Sequence, residues 1–149
     1  MARYLLDTNI LLRASDPASA NYRMAVKSVS QLLKEGNECV INAQVQIEFW
    51  VVATRPVEVN GLGWTPQKTQ QPIRQLLSQF TLLEEIPEIF PNWLELVTTY
   101  NVMGKRTHDI RLLAVMKAHG ITHLLTFNPE DFIKAPGLRI LHPREIIQP

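Results

Sequence analysis

The chain has 149 residues, of which 46% are hydrophobic and 19% are charged. This composition is typical of one globular domain rather than of a disordered or fibrous protein. The formal net charge of +1 argues against tight nonspecific binding to duplex nucleic acid, which usually requires a more basic protein. No apolar segment reaches the roughly 20 residues of a membrane-spanning helix, and the single cysteine excludes an internal disulfide.

The first half of the chain alternates short apolar runs with segments of helical periodicity. Residues 3–7 are typical of a buried strand, and Thr8 and Asn9 follow as residues that favour a helix start. Because Asp7 interrupts the first apolar run, a secretory signal is not indicated and we expect a cytoplasmic protein. The other elements predicted here are helices at 10–14 and 18–34, a strand at 38–41, and a helix at 43–54 capped by Asn42.

The second half continues the same alternation. A loop with two glycines and two prolines spans 55–66. Thr65 and Pro66 suit the N-cap and the first position of a helix that is predicted to reach residue 80. The remaining predicted elements are strands at 81–85, 122–127 and 138–141, and helices at 87–100 and 107–119. Strands that alternate with helices predict an α/β fold with a central parallel sheet flanked by helices on both faces. No linker composition divides the chain, so we expect residues 1–149 to form a single domain.

Three carboxylates occupy positions where an acidic residue is informative. Asp7 ends the first strand, at the sheet edge where parallel sheets bind ligands, although it could simply cap the next helix. Glu48 interrupts an otherwise apolar helix; a narrow solvated stripe shared with Gln44 is the alternative to a functional role. Asp109 lies in the first turn of the helix that begins at Thr107, where the helix dipole favours a carboxylate whatever its function.

The predicted topology brings these three carboxylates to one edge of the sheet. Asp7 leaves the end of a strand, and Glu48 and Asp109 lie in helices that follow connections at the same edge. Carboxylates gathered there repel one another by roughly 4 kcal/mol per pair at 4 Å with an effective dielectric of 20. Either some are protonated or a cation lies between them, and an oxygen-only ligand set predicts Mg2+ or Mn2+ rather than zinc.

Four motifs cover nearly the whole chain in order: Leu-Asp-Thr-Asn at 6–9, Glu-Phe at 48–49, Thr-His-Asp at 107–109, and Leu-Leu-Thr-Phe-Asn-Pro-Glu-Asp-Phe at 124–132. Together they resemble the PIN-domain nucleases, and within them the VapC-type ribonuclease toxins of type II toxin–antitoxin pairs. The resemblance implies a metal-dependent ribonuclease that acts on RNA and that a bound cognate antitoxin silences. We further hypothesise that the antitoxin inserts a side chain into the pocket.

The resemblance also implies roles for individual residues. Asp7, Glu48 and Asp109 match the three core acids, which are catalytic and bind the metal. Asn128 stands where many members have aspartate, and Asp131 follows three residues later, so either residue could fill the fourth acidic position; a turn also explains both. An amide neutralises less charge than a carboxylate, which disfavours a tightly held second metal. The supporting polar positions are matched by Thr8, Asn9 and Thr126, with Asp131 as a further candidate.

Cations and aromatic residues are candidates for RNA contacts. Lys105 and Arg106 directly precede the helix that carries Asp109, and Arg13 and Arg111 are further candidates, although any of them could be an ordinary surface charge. In the loop at 55–64, Trp64 is expected to be exposed and to contact RNA or a partner, whereas Trp50 is expected in the core. The apolar and aromatic content also suggests a homodimer.

Two other functions fit parts of the pattern. A metal-dependent phosphatase shares the aspartate at a strand end, but Asn9 replaces the second aspartate of the Asp-x-Asp pattern of aspartyl-phosphate enzymes. A catalytically weak or inactive RNA- or protein-binding module of the same fold is the other alternative, and Asn128 is the residue that favours it.

Overall fold

Five short parallel strands form the centre of the molecule, whose computed structural model describes residues 1–147. The strands are β1 (Arg3–Leu6), β2 (Glu38–Ile41), β3 (Thr81–Leu82), β4 (His123–Leu125) and β5 (Arg139–Leu141). Their order across the sheet is β3-β2-β1-β4-β5, with Leu5 of β1 paired with Val40 on one side and Leu124 on the other. The predicted parallel α/β fold is therefore confirmed.

Helices cover both faces of the sheet. Within residues 1–147 they are α1 (Thr8–Ala14), α2 (Tyr22–Lys34), α3 (Ala43–Thr54), α4 (Pro66–Gln79), α5 (Ile89–Thr99), α6 (Arg106–His119) and α7 (Pro143–Ile146). Consecutive residues of β1 point to opposite faces, yet Tyr4, Leu5 and Leu6 are all buried. A strand is buried on both sides only when both faces of its sheet are covered. Across the described residues, every helix is too short or too polar to span a bilayer.

Several element boundaries differ from the predicted ones. Helix α2 begins at Tyr22 rather than at residue 18, because Asp16 and Ser19 accept hydrogen bonds from the following backbone N–H groups and extend the turn. Strand β3 is limited to two residues instead of five. Helix α7 was not predicted; His142 and Glu145 form a capping box at its start, with a histidine in place of the usual serine or threonine.

Two tryptophans lie in environments opposite to those expected. Trp50 on α3 is 37% exposed and not in the core, whereas Trp64 is half-buried and packs against Phe49, with ring centroids 6.3 Å apart. The reason is that the loop at 55–64 folds back along α3: the backbone N–H of Leu62 donates to the Val52 carbonyl. This contact turns the loop inward and brings Trp64 onto the core side of the helix.

Candidate metal centre

Asp7 lies at the carboxyl end of the central strand, and both oxygens of its carboxylate accept hydrogen bonds. Its Oδ1 accepts from the backbone N–H of Thr8 at 2.8 Å, which caps α1. Its Oδ2 accepts from the hydroxyl of Thr126 at 2.8 Å. Asp7 therefore caps a helix, which was the simpler interpretation of the sequence. Its carboxylate is also held in one orientation by Thr126, 119 positions away in the chain.

The Thr126 hydroxyl is the centre of a small polar network between β1 and β4. It is completely buried and accepts from the Asn9 side-chain amide at 3.3 Å and from the backbone N–H of Asn128 at 3.1 Å. Because a hydroxyl has one proton and both nitrogens are donors, that proton must be directed at Asp7. The Asn9 carbonyl oxygen in turn accepts from the backbone N–H of Phe127 at 3.1 Å. Of the predicted supporting residues, Asn9 and Thr126 thus hold the site through side chains, and Thr8 through its backbone.

Two other acidic residues, Asp109 and Asp131, affect the pKa of Asp7. Burial raises the pKa of Asp7, and the negative charges of Asp109 and Asp131 raise it further, while the hydrogen bonds from Thr126 and Thr8 act in the opposite direction. The pKa of Asp109 is raised as well, first by partial desolvation of its carboxylate and then by Asp131 and Glu48; His108 and Arg106 oppose this. Asp109 and Asp131 therefore act on Asp7, and Asp131 and Glu48 act on Asp109, at the carboxyl edge of the sheet.

A divalent cation fits this group of oxygens. Among residues 1–147, the ion pairs join Arg111 to Glu85 and Lys117 to Glu95, so no side-chain cation is paired with the four carboxylates. No three His, Cys, Asp or Glu side chains in the described residues are gathered at the spacing of a complete protein ligand set. Mg2+ needs no such set, since one or two carboxylates with water and substrate phosphate complete its shell. The donor chemistry and the grouped negative charge fit a divalent cation.

Gln44, which the sequence placed on a solvated stripe of α3, connects this helix to the start of α6. The Gln44 side-chain amide donates to the backbone carbonyl of His108 at 2.9 Å, and its carbonyl oxygen accepts from Arg111 at 3.0 Å. Gln44 lies one helical turn before Glu48, on the same face of α3. This contact explains why Glu48, although exposed, lies close enough to influence Asp109. The signal in the sequence was the four-residue spacing of two polar side chains on an apolar helix.

The predicted RNA-binding cations differ in their surroundings. Lys105 and Arg106 are exposed at the start of α6, immediately before the turn that carries Asp109. The Arg13 guanidinium lies 5.9 Å from the centre of the Phe127 ring, beside the polar end of β4. Arg111 instead has two protein partners, Gln44 and Glu85, the latter at 2.5 Å. Three of the four cations, Lys105, Arg106 and Arg13, therefore form no salt bridge with a carboxylate among residues 1–147.

The two candidates for the fourth acidic position differ in their contacts. Asp131 is the last residue of a short 3-10 helix, Pro129–Asp131, and its charge raises the pKa of both Asp7 and Asp109. Asn128 contacts the network through its backbone N–H, which donates to the Thr126 hydroxyl. Asp131 thus supplies negative charge at this edge and Asn128 a backbone donor, and the assignment of the fourth acidic position stays a prediction.

Comparison with known proteins gives one family and a set of similar folds. The family model for the PIN domain matches residues 4–138. The chain is similar to VapBC2 from Rickettsia felis bound to a promoter DNA fragment, with a TM-score of 0.69, 21% identity, and 94% and 98% of the two chains covered. A toxin–antitoxin complex from Klebsiella pneumoniae gives a TM-score of 0.63 at 25% identity, with 94% and 97% covered.

A third similar structure is VapC20 of Mycobacterium tuberculosis, described as a toxin that cleaves the sarcin-ricin loop. Its TM-score is 0.61 at 13% identity, and 81% of this chain and 86% of that chain are covered. No curated protein matches the sequence at a significant level. At these identities the similar structures establish the fold, which agrees with the motif order observed in the sequence.

Proposed function

Because this chain belongs to the PIN domain family, we propose that it is a divalent-metal-dependent endoribonuclease whose residues 1–149 form one nuclease domain. The observation that carries the proposal is the group of Asp7, Glu48, Asp109 and Asp131 at the carboxyl edge of the sheet. Like charges gathered without a cation destabilise a fold. Such an arrangement persists at functional sites, where perturbed carboxylates serve binding or catalysis.

Each residue has a distinct part in the proposed reaction, an in-line attack of water on a phosphodiester. When bound, Mg2+ or Mn2+ supplies a water of lowered pKa and offsets the charge that develops on the phosphate. Asp7 and Asp109 are the proposed direct ligands, and the hydrogen bond from Thr126 orients the Asp7 carboxylate and favours its charged form. Glu48 ligates directly or orients the attacking water. Asp131 contributes the fourth negative charge, and Asn128 and Thr8 hold the surrounding loop through their backbones.

RNA is the proposed substrate class. Lys105 and Arg106 stand at the start of α6, near Asp109, and Arg13 lies over Phe127 at the end of β4; we propose that these cations contact phosphates beside the reacting one. The low net charge of +1 favours a local contact with a short segment over extended duplex binding. The similarity to a toxin described as cleaving the sarcin-ricin loop supports RNA over small phosphate esters.

The physiological role that we propose is that of the toxin in a toxin–antitoxin pair. Two of the similar structures contain toxin–antitoxin proteins. A groove of about 580 Å3 between α1, α2 and α4 supports a protein partner, since it offers polar and apolar surface in equal measure and its lining includes Leu6, the residue before Asp7. An antitoxin segment seated there could extend a side chain into the carboxylate group and silence it.

A homodimer is proposed from the exposed apolar face of α3, defined by Ile47, Trp50 and Val51. Ile47 is 64% exposed, and burying three such side chains against a second copy would remove substantial apolar surface from water. This surface lies on the same helix as Glu48. Dimerisation through it would therefore place two catalytic groups near one interface.

The decisive experiment measures cleavage of single-stranded and structured RNA by the purified protein with Mg2+, with Mn2+ and with EDTA. We expect metal-dependent cleavage that Asp7→Asn abolishes while RNA binding is retained. Hydrolysis of nitrophenyl phosphate without RNA cleavage would identify a phosphatase instead. RNA binding without cleavage at any metal concentration would identify an inactive binding module.

A further inference from the structure

A cavity of about 530 Å3 opens on the side of α6 that faces α5. It lies between the segment that follows β3 and the first turn of α6, and its volume falls within the roughly 300–1,000 Å3 of small-molecule sites. The residues that give it chemical character are Glu85, Phe90, Trp93, Thr107, His108 and Arg111. None of the functions assigned so far uses this cavity.

One wall of the cavity is aromatic and rigid. Phe90 and Trp93 are stacked with ring centroids 5.6 Å apart and an angle of 29° between their planes. The indole N–H of Trp93 donates to the backbone carbonyl of Thr107 at 2.8 Å, which fixes the tryptophan against α6. Phe90 remains 65% exposed. A large exposed ring supported from behind by a fixed ring is a surface on which another planar group can stack.

Two charged residues, Glu85 and Arg111, also line the cavity. The carboxylate of Glu85 and the guanidinium of Arg111 form an ion pair at 2.5 Å, and both side chains remain partly exposed. Arg111 is held further by Gln44. A carboxylate accepts hydrogen bonds and a guanidinium donates them, so the pair presents both kinds of partner in a fixed position. Nucleobase edges also carry donors and acceptors side by side.

The cavity lies beside the first turn of α6, which also carries Asp109 of the proposed catalytic group. Thr107 and His108 line it, and the next residue along the first turn of α6 is Asp109. Gln44 contacts both the His108 carbonyl and Arg111, so the same contact holds the cavity wall and the start of α6. A nucleotide whose phosphate lies at Asp109 would therefore have its base within reach of the cavity.

We propose that this cavity receives one unstacked nucleobase of the RNA substrate, next to the phosphate that is cleaved. The base stacks on Phe90, and its edge faces the Glu85–Arg111 pair. A base within a duplex is stacked on both sides and cannot enter, so the cavity selects single-stranded or flipped-out nucleotides. This inference rests on the ribonuclease activity proposed above.

The test compares wild-type protein with Phe90→Ala on a short single-stranded RNA and on versions in which one nucleotide at a time is abasic. Base–aromatic stacking predicts that removing either the base or the ring raises KM about 5- to 100-fold. Combining Phe90→Ala with the abasic nucleotide should add little further, because both changes remove the same contact. Phe90→Leu keeps apolar volume but no ring, and should show the loss of Phe90→Ala.

Leu94→Ala is the matched control, since Leu94 is half-exposed on the same helix and does not line the cavity. It should retain the wild-type KM, and the melting temperatures of all variants should agree. RNA cleavage by Phe90→Ala with an unchanged KM, or independent effects of ring and base, would overturn the inference and leave the ribonuclease proposal standing. Equal losses in Phe90→Ala and Leu94→Ala with a change in oligomeric state would assign this face to a protein contact instead. Failure of the wild-type protein to cleave any RNA would overturn both proposals.

Discussion

Thr126→Val is the perturbation that tests the catalytic group most directly. Valine has the shape of threonine but no hydroxyl, so the bond to the Asp7 carboxylate, 2.8 Å in the structure, is lost while the buried volume is kept. Hydrogen bonds to charged groups contribute about 1.5–3 kcal/mol. The two N–H donors from Asn9 and Asn128 lose their acceptor but lie in partly exposed residues, where water can replace it. We expect a loss of about 2–3 kcal/mol in the free energy of unfolding at neutral pH.

Thr126→Ser separates the hydroxyl from the methyl group. Serine keeps the donor to Asp7 and removes one buried methyl, which costs about 1 kcal/mol. Urea unfolding in EDTA should therefore rank the variants as wild type, serine, valine in decreasing stability. The bond with Thr126 lowers the pKa of Asp7, so its loss raises that pKa further. In Thr126→Val, the acidic limb of the pH–activity profile should accordingly move to higher pH.

The difference between valine and serine also depends on pH. A neutral carboxyl accepts a weaker hydrogen bond, of about 0.5–1.5 kcal/mol, than a charged one. The difference should therefore shrink as pH falls through the raised pKa of Asp7. Equal stability of the two variants at every pH, with unshifted activity profiles, would refute the assignment of the Thr126 proton to Asp7.

Three further predictions follow from the charge and surface of the molecule. Asp109→Asn should abolish RNA cleavage and, by relieving repulsion, leave the melting temperature in EDTA equal or higher; a clear decrease in calorimetry would contradict the shared site. Since the folded-state pKa values of Asp7 and Asp109 are raised, the free energy of unfolding without metal should fall as pH rises through these pKa values. Denaturant titrations with saturating Mg2+ should show a weaker dependence of this free energy on pH. Ile47→Asp should convert a dimer to a monomer in light scattering, whereas a wild-type monomer at high concentration would exclude the α3 interface.

Much of the fold could be predicted because its signals are local. Asn42 caps α3 through a bond of 3.0 Å to the backbone N–H of Val45, and Thr65 caps α4 through one of 3.1 Å to Lys68. Gly120 ends α6 in the left-handed conformation, with φ of 68°. Helix α7 was missed because it has four residues and a histidine cap, which gives little periodic signal.

The candidate site was predictable in its residues and less so in its contacts. Asp7, Glu48 and Asp109 stand out as acids in apolar or strand-end positions, and the structure brings all three into electrostatic range of one another through Asp109. The sequence left Asn128 and Asp131 open for the fourth acidic position. In the structure both are exposed; Asn128 donates its backbone N–H to Thr126, and Asp131 acts through its charge on Asp7 and Asp109.

Most strands and helices, and the sheet edge at which the acids were expected, follow from local sequence, because periodicity, caps and strand ends depend on neighbouring residues. Other contacts are visible only in the folded molecule: Gln44 joins α3 to α6, Arg111 pairs with Glu85, and Phe90 and Trp93 line a cavity. Such contacts depend on which faces of distant helices pack together. That choice is set by the shape of the whole core, and no short stretch of sequence records it.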